Sequence, residues 1–104
     1  AFGRLFERHD VLATPTVAAR RKVIGEGTAA TAEGPVPYRG AFSHFTALVN
    51  HASLPAIALP LAADGDPPPS LQLIGPAWSE DRLLSIGAAL EASGTVSRRV
   101  PDPA

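Results

Sequence analysis

The three histidines are the side chains best suited to metal binding, because the chain has no cysteine. His44 and His51 stand seven residues apart in a stretch with helical spacing, so they would share one helix face. That spacing also separates them by about 10.5 Å along the helix axis, whereas a metal lies about 2 Å from each histidine ligand. The two histidines are therefore interpreted as partly exposed helix residues, and no metal site or cofactor is predicted.

A nucleophilic site would need a serine, a base and a group that orients the base. His9 and Asp10 could supply the last two, but sequence neighbours in an extended segment face opposite sides, and no Gly-x-Ser-x-Gly elbow is present. The basic run Arg20-Arg21-Lys22 could hold a phosphate, but no aromatic residue interleaves with it, so it is interpreted as solvated surface. The residues alone give no self-contained active site.

The composition is that of one small globular domain. The chain has 104 residues, of which 45% are hydrophobic and 18% are charged, and its net charge is −1. A net charge this close to zero gives no overall electrostatic field that would attract nucleic acid or an anionic membrane. No apolar run or leader pattern indicates a membrane span or a signal peptide. A cytoplasmic protein is expected. Since there is no methionine, we expect either an initiator removed before Ala1 or a chain cut from a longer protein.

Hydrophobic spacing predicts three helices and three strands. The helices are predicted at 2–9, 39–53 and 79–93, and the strands at 10–13, 56–59 and 71–74. The residues from 16 to 38 are predicted to be one loop, which is longer than most structureless connections. The last two strands can pair as a hairpin across a long, turn-rich connection.

Local signals indicate where several of these elements begin and end. Pro15 is expected to stop the hydrogen-bonded ladder of the first strand. Ser79 is the predicted N-cap of the last helix, with Trp78 and Leu83 at the positions of a hydrophobic staple. Gly94 is expected to end that helix.

The three strands carry apolar residues on both faces, which is typical of a sheet covered on both sides. The two full-length helices cannot easily cover both faces of a three-stranded sheet. The pattern therefore predicts an α/β protein whose sheet continues with strands outside this chain.

Three segments, taken in order, resemble the C-terminal end of the amidase signature family. The segments read FERHDVLATPT at 6–16, FTALVNHASLPAIALP at 45–60 and LQLIGPAWSEDRLLSIGAALE at 71–91. Their order and spacing match the family pattern over nearly the whole chain. The positions that match are Asp10, Leu12, Thr14, Pro15, Thr16, Thr46, Asn50, Pro55, Pro60, Leu71, Gln72, Gly75, Glu80, Leu83, Leu84 and Glu91.

The resemblance implies the C-terminal part of an α/β/α sandwich with a mixed sheet, formed by residues 1–96. The stretch 97–104, with Pro101 and Pro103, is expected to be a flexible tail. The resemblance also implies hydrolysis of a carboxamide C–N bond to a carboxylate and ammonia or an amine. The family uses a serine nucleophile, a second serine after a cis peptide bond, and a lysine, with backbone amides as the oxyanion hole. None of these matches a residue here, and Lys22, the only lysine, lies in a basic polar loop. No catalytic residue is therefore predicted in this chain, which is expected to be inactive alone.

The resemblance places part of a substrate pocket on this chain. Positions matching Gly40, Ser43 and Ala47 form a pocket wall in the family, and Trp78 matches an aromatic residue that lines the acyl channel of some relatives. Small, uncharged side chains at this wall would favour apolar acyl groups. An acidic residue is expected at position 43 in the glutamine-using tRNA amidotransferase branch, so Ser43 argues against that branch.

Two serines depart from the family pattern. Ser53 and Ser70 stand where glycine is usual, so the loops there are expected to differ in shape if those glycines allow a positive φ or a close backbone approach. Two matching polar residues, Asn50 and Gln72, stand beside apolar strands. Each fits a structural hydrogen bond as well as a substrate contact.

These observations leave an amidase-type hydrolase as the leading interpretation. The alternatives are a non-catalytic binding or structural module, and a subunit of a glutamine-dependent amidotransferase. The expected partners are a small-molecule amide substrate, the N-terminal part of the same enzyme and a second copy in a homodimer, with no nucleic acid and no membrane.

Overall fold

The computed structural model describes residues 2–19, 23–64 and 68–98, and the chain is an α/β protein as predicted. Within these ranges no helix is long and apolar enough to cross a membrane. The elements in chain order are α1 Phe2–Phe6, β1 Leu12–Pro15, β2 Thr28–Thr31, β3 Gly34–Pro37, α2 Tyr38–Ser43, α3 Ala47–His51, β4 Ala56–Pro60, β5 Ser70–Ile74 and α4 Glu80–Ala92.

Three strands form an antiparallel sheet in the order β1-β5-β4. The apolar run of β5 is central, and Leu73 pairs with Ala13 of β1 on one side and with Ile57 of β4 on the other. The hairpin expected between the last two strands is confirmed as β4 and β5.

The first strand is shifted from its predicted position. It spans Leu12–Pro15 rather than 10–13, and Pro15 pairs with Leu71 instead of stopping the ladder. The prediction was wrong because β1 lies at the edge of its sheet, and a proline at an edge position removes only an N–H that would face outwards.

The predicted loop at 16–38 was also wrong, because it contains an antiparallel hairpin of β2 and β3. The turn is closed by Thr31, whose Oγ1 donates to the Gly34 carbonyl (2.7 Å) and accepts from the Glu33 N–H (3.2 Å). Gly34 has a φ of +105°, which glycine adopts without steric cost. The basic run at 20–22 lies outside the described residues.

The helix predicted at 39–53 is broken into α2 and α3 by a turn at 44–46. The side-chain amide of Gln72 donates to the Phe45 carbonyl (3.0 Å). In a continuous helix this carbonyl would accept from the backbone N–H four residues later. The break places His44 in the turn and His51 on α3, so they do not share the predicted helix face.

The core consists of two apolar clusters. The first lies between the three-stranded sheet and α4 and is built on Leu59, Leu73, Leu83 and Val96. α4 lies close to β4 at Gly87, where a Cβ would be in ordinary van der Waals contact with Ile57 Cδ1 at 3.4 Å. The second cluster lies between the hairpin and α2 and is built on alanines, namely Ala19, Ala29 and Ala41.

The last helix ends as predicted but begins differently. Gly94, with a φ of +82°, follows the helix end and donates to the Glu91 carbonyl (3.1 Å). Ser79 is the N-cap residue, but its side chain makes no capping hydrogen bond, because its Oγ donates to the Pro76 carbonyl instead (2.6 Å). Trp78 is 91% exposed, so the predicted staple is wrong. Of the predicted tail, the stretch 99–104 lies outside the described residues.

Candidate functional site

A groove of about 520 Å³ lies where the β2–β3 hairpin, the end of β1 and α2 meet. We call it the α2 groove. Its wall is mostly apolar, and polar groups enter it from Glu33 on the hairpin turn and His44 after α2. A concave, largely apolar site with few polar groups is the usual form of a small-molecule pocket. Among the apolar residues that line it are Pro15, Val36, Gly40, Ala41 and Phe45.

Gly40 faces the α2 groove from the middle of α2. A Cβ built at this position would find no atom within 4 Å, so the absence of a side chain here leaves the groove open. Of the four predicted substrate-binding residues, Gly40 is the one that lines this groove.

The other three predicted residues lie elsewhere in the described structure. Ser43 lines a separate depression of about 470 Å³ with Tyr38, Arg39 and Phe42, and its Oγ donates to the Arg39 carbonyl (2.6 Å). Ala47 is half-buried on α3 and lines neither cavity. The four residues therefore do not converge on one pocket within the described part of the chain.

Trp78 is presented to solvent by a tightly bonded loop. Its φ is +65°, a conformation that is uncommon for a bulky residue. The loop is fixed by the bond from Ser79 Oγ to Pro76, and a Cβ at Gly75 would displace the Ser79 side chain. The contact of Trp78 with a substrate stays a prediction.

Gln72 is the buried polar residue that positions the α2 groove. Its side chain is only 4% exposed, and its Nε2 donates to Thr14 Oγ1 (2.9 Å) and to the Phe45 carbonyl (3.0 Å). Of the two roles left open by the sequence, these bonds support the structural one. Because Phe45 lines the groove, Gln72 connects the central strand to the groove wall. Asn50, by contrast, is exposed on α3.

The two serines at glycine positions have different surroundings. Ser53 has a φ of +55°, so the backbone there is left-handed although the residue is not glycine. Ser70 begins β5, and its Oγ lies 2.8 Å from Thr16 Oγ1. The first serine therefore carries backbone strain, whereas the second joins β5 to the end of β1.

Metal-ligating side chains do not cluster in the part of the chain that the structure describes. In the ranges 2–19, 23–64 and 68–98, no group of three or more metal-ligating side chains comes together. Asp10 is 92% exposed and lies 3.9 Å from Arg82, so its nearest charged partner in the structure is an arginine. The arrangement can hold an apolar group in the α2 groove, while bond cleavage would require groups that these residues do not bring together.

Comparisons with known proteins identify the family of this chain. A model of the family described as Amidase matches residues 1–84. The chain is 33% identical over 101 residues to a fatty acid amide hydrolase from Medicago truncatula, covering 96% of this chain and 17% of the relative. It is 40% identical over 89 residues to one of the subunits of the glutamyl-tRNA(Gln) amidotransferase from Natronomonas pharaonis, covering 86% of this chain and 20% of the relative.

A solved structure shares the fold. It was described as a vestigial protein complex that reveals the evolutionary origins of an s-triazine catabolic enzyme. It superposes with a TM-score of 0.83 at 27% identity, covering 94% of this chain and 22% of that one. The chain thus spans about a fifth of the length of these relatives. A family match over more than half of the residues, together with this fold, shows that the chain belongs to the amidase family.

Proposed function

We propose that this chain forms the C-terminal part of an amidase-type hydrolase, which cleaves a carboxamide C–N bond to a carboxylate and ammonia or an amine. The observation that carries the proposal is the family match over residues 1–84. In this proposal a serine, a second serine after a cis peptide bond and a lysine act from outside the chain. Residues 1–96 complete the fold and contribute to the wall of the substrate pocket, and 97–104 form the tail.

The α2 groove supports a binding role for this part of the enzyme. Gly40 opens the groove, and the surrounding wall is mostly apolar. Such a surface favours a neutral, apolar acyl group, because transferring apolar area out of water is favourable while a charged group would lose its hydration. Ser43, Ala47 and Trp78 are proposed to contact the same substrate once the remaining enzyme is in place.

A chimeric enzyme tests the proposal. Residues 2–98 would replace the matching segment of the Medicago truncatula fatty acid amide hydrolase, and release of ammonia from a long-chain fatty acid amide would be measured. The isolated chain serves as the matched control and should release ammonia no faster than buffer. An inactive chimera that folds like the parent enzyme would favour a non-catalytic binding or structural module instead.

The 40% identity to an amidotransferase subunit supports a second candidate function. In that case the substrate would carry a charged amino-acid head, and the pocket wall would need a complementary charge. Ser43 is uncharged and its hydroxyl is bonded to the Arg39 carbonyl, so the apolar amide is favoured. Ammonia release from glutamine at a rate comparable to that from the apolar amide would support the amidotransferase alternative.

A further inference from the structure

Two links join α2 and the turn after it to the chain at the end of β1. The first is a backbone bond from the Ala18 N–H to the Ala41 carbonyl (3.0 Å). The second, which we call the Gln72 link, is a series of hydrogen bonds that begins at Phe45 and ends at Pro15. The end residues of both links line the α2 groove, so the links hold its two sides together.

The Gln72 link consists of three hydrogen bonds made by two side chains. Gln72 Nε2 donates to the Phe45 carbonyl (3.0 Å) and to Thr14 Oγ1 (2.9 Å). Thr14 Oγ1 in turn donates to the Pro15 carbonyl (2.9 Å). Gln72 and Thr14 are not among the residues that line the groove. Their effect on it therefore passes through Phe45 and Pro15.

The directions of these bonds suit an amide at position 72. A primary amide nitrogen has two protons to donate, and here each of them has an acceptor. The Thr14 hydroxyl has one proton, which it donates to Pro15, so it accepts from position 72. An ionised carboxylate could donate to neither group, and an apolar side chain would leave the Phe45 carbonyl without this partner. Because Gln72 is only 4% exposed, water does not easily replace a bond lost there.

The two links differ in how a substitution affects them. The bond between Ala18 and Ala41 joins backbone groups, so it does not depend on particular side chains, whereas the Gln72 link does. The Phe45 ring also lies edge-on to the His44 ring, with centroids 4.8 Å apart, and both residues line the groove. Loss of the Gln72 link would therefore release two residues of the groove wall while the backbone bond remains.

We propose that Gln72 is a positioning residue, which sets the preference of the α2 groove for a long acyl chain over a short one. It acts through Phe45 and Pro15, whose separation it fixes, and it does not contact the substrate. The inference rests on the proposed amide cleavage. A long acyl chain covers the groove wall and gains from its fixed shape, since little further ordering is needed on binding. A short acyl chain covers little of the wall.

Steady-state kinetics of the chimeric enzyme on a long-chain and a short-chain amide tests the inference. Gln72→Leu should raise the KM for the long amide by about tenfold or more and leave kcat nearly unchanged, because lost uniform binding acts on KM. The short amide should be affected much less. Thr14→Val removes the hydroxyl at nearly the same volume, so it should shift the preference in the same direction by a smaller factor. Thr14→Ser keeps the hydroxyl and should retain the preference of the unmodified chimera.

The matched control for a purely structural effect is Leu73→Ala. Leu73 follows Gln72 on β5 and belongs to the core cluster beneath α4, so its truncation weakens the same strand from the other face of the sheet. It should lower the stability of the chimera without changing the preference between the two amides. An unchanged preference in the Gln72→Leu chimera would overturn the inference. So would an equal loss of preference in the Leu73→Ala chimera.

A binding experiment decides the inference independently of cleavage. Octanamide is titrated into the full chain, and the backbone amide signals of Gly40 and Phe45 are followed by NMR. The unmodified chain should bind octanamide, and Gln72→Leu should raise the Kd by about tenfold. If that variant does not fold, Thr14→Val and Thr14→Ser provide the comparison. Equal Kd values for unmodified and altered chains, or no shift in the unmodified chain, would contradict the inference, whereas an inactive unmodified chimera would contradict only the proposed amide cleavage.

Discussion

At the scale of single residues, the side chain of Gln72 makes two hydrogen bonds inside the core. It is the buried polar residue among those described, and it joins β5 to β1 and to the turn between α2 and α3. Burial of an amide is favourable only when its hydrogen bonds are satisfied. The groove wall at Phe45 therefore depends on a residue that is distant in sequence.

Replacing Gln72 with leucine should reduce the free energy of unfolding by about 1–3 kcal/mol, because the Phe45 carbonyl and the Thr14 hydroxyl each lose a partner. Urea unfolding of the chain measures the loss. Thr14→Val is the matched control, since it removes one of the two bonds and should cost less. A Gln72→Leu chain as stable as the unmodified one would contradict the structural role.

Gly40 is the residue where the proposed substrate preference can be tested. In the chimeric enzyme, Gly40→Leu should fill part of the α2 groove and lower kcat/KM for a long-chain amide by about tenfold or more, while a short amide should be less affected. Helix propensity favours leucine over glycine, so the substitution should not lower the stability of α2. Steady-state kinetics on the two amides provides the comparison.

The control for this prediction is Gly3→Leu. Gly3 also has no atom within 4 Å of a built Cβ, but it lies on α1, away from the groove. It should leave both amides unaffected. Equal losses for the short and the long amide in the Gly40 variant would place the acyl group elsewhere.

At the scale of elements, two helices end in the same motif with different residues. After α4, Thr95 donates to the Leu90 carbonyl (3.0 Å) and Gly94 has a φ of +82°. After α3, Leu54 donates to the Val49 carbonyl (3.4 Å) and Ser53 has a φ of +55°. Both are Schellman ends, and the serine occupies a conformation that costs little only for glycine.

Exchanging serine and glycine at these two helix ends should change the stability in opposite directions. Ser53→Gly should raise the free energy of unfolding by about 0.5–1 kcal/mol, because relief of the left-handed strain exceeds the entropy that glycine adds to the unfolded chain. Gly94→Ser should lower it by about 1 kcal/mol. Urea titration of both variants checks the signs. A loss of stability in the Ser53 variant would mean that the serine side chain makes a compensating contact.

The elements differ in how well the sequence predicts them, and the reasons are physical. β4, β5 and α4 follow from local signals, namely continuous apolar runs and the glycine at position 94. The β2–β3 hairpin is built from short strands of alanine, threonine and proline, such as Thr28–Thr31, which have no marked alternation of hydrophobicity. The break between α2 and α3 involves a bond from Gln72 to Phe45 across 27 positions, which no local pattern contains.

The two sides of the α2 groove also differ in how far the sequence predicts them. Family resemblance predicts Gly40 at a pocket wall. Gly40 lines the α2 groove, and its contact with a substrate stays a prediction. The hairpin side of that groove is not predicted, because residues such as Val36 and Glu33 lie in the segment interpreted as loop. Their contribution follows from tertiary packing, which composition and spacing do not encode.

At the scale of the whole molecule, the chain is extended for its length. The Cα radius of gyration is 15.2 Å, whereas a compact chain of about 100 residues has about 13 Å. No large side chain among the described residues falls below 2% exposure. The two apolar clusters share no buried residue, so each must be stabilised largely by its own contacts.

Two separate clusters predict that the chain does not unfold in a single cooperative step. The cluster beneath α4 contains large side chains such as Leu73 and Leu83, whereas the hairpin cluster is built on alanines that bury far less apolar area. Amides of β5 and α4 should therefore exchange with solvent more slowly than those of β2 and β3, since the weaker unit opens independently.

Hydrogen exchange of the isolated chain measures this difference in exchange rate, and Val36→Ala should make the difference larger. Val36 packs against the hairpin cluster, so its truncation should accelerate exchange in β2 and β3 and leave β5 unchanged. Leu73→Ala is the matched change in the other cluster, and it should accelerate exchange in β5 and α4. If Val36→Ala accelerates both regions equally, the two clusters unfold together and the chain has one cooperative core, which would make it a domain that is stable by itself.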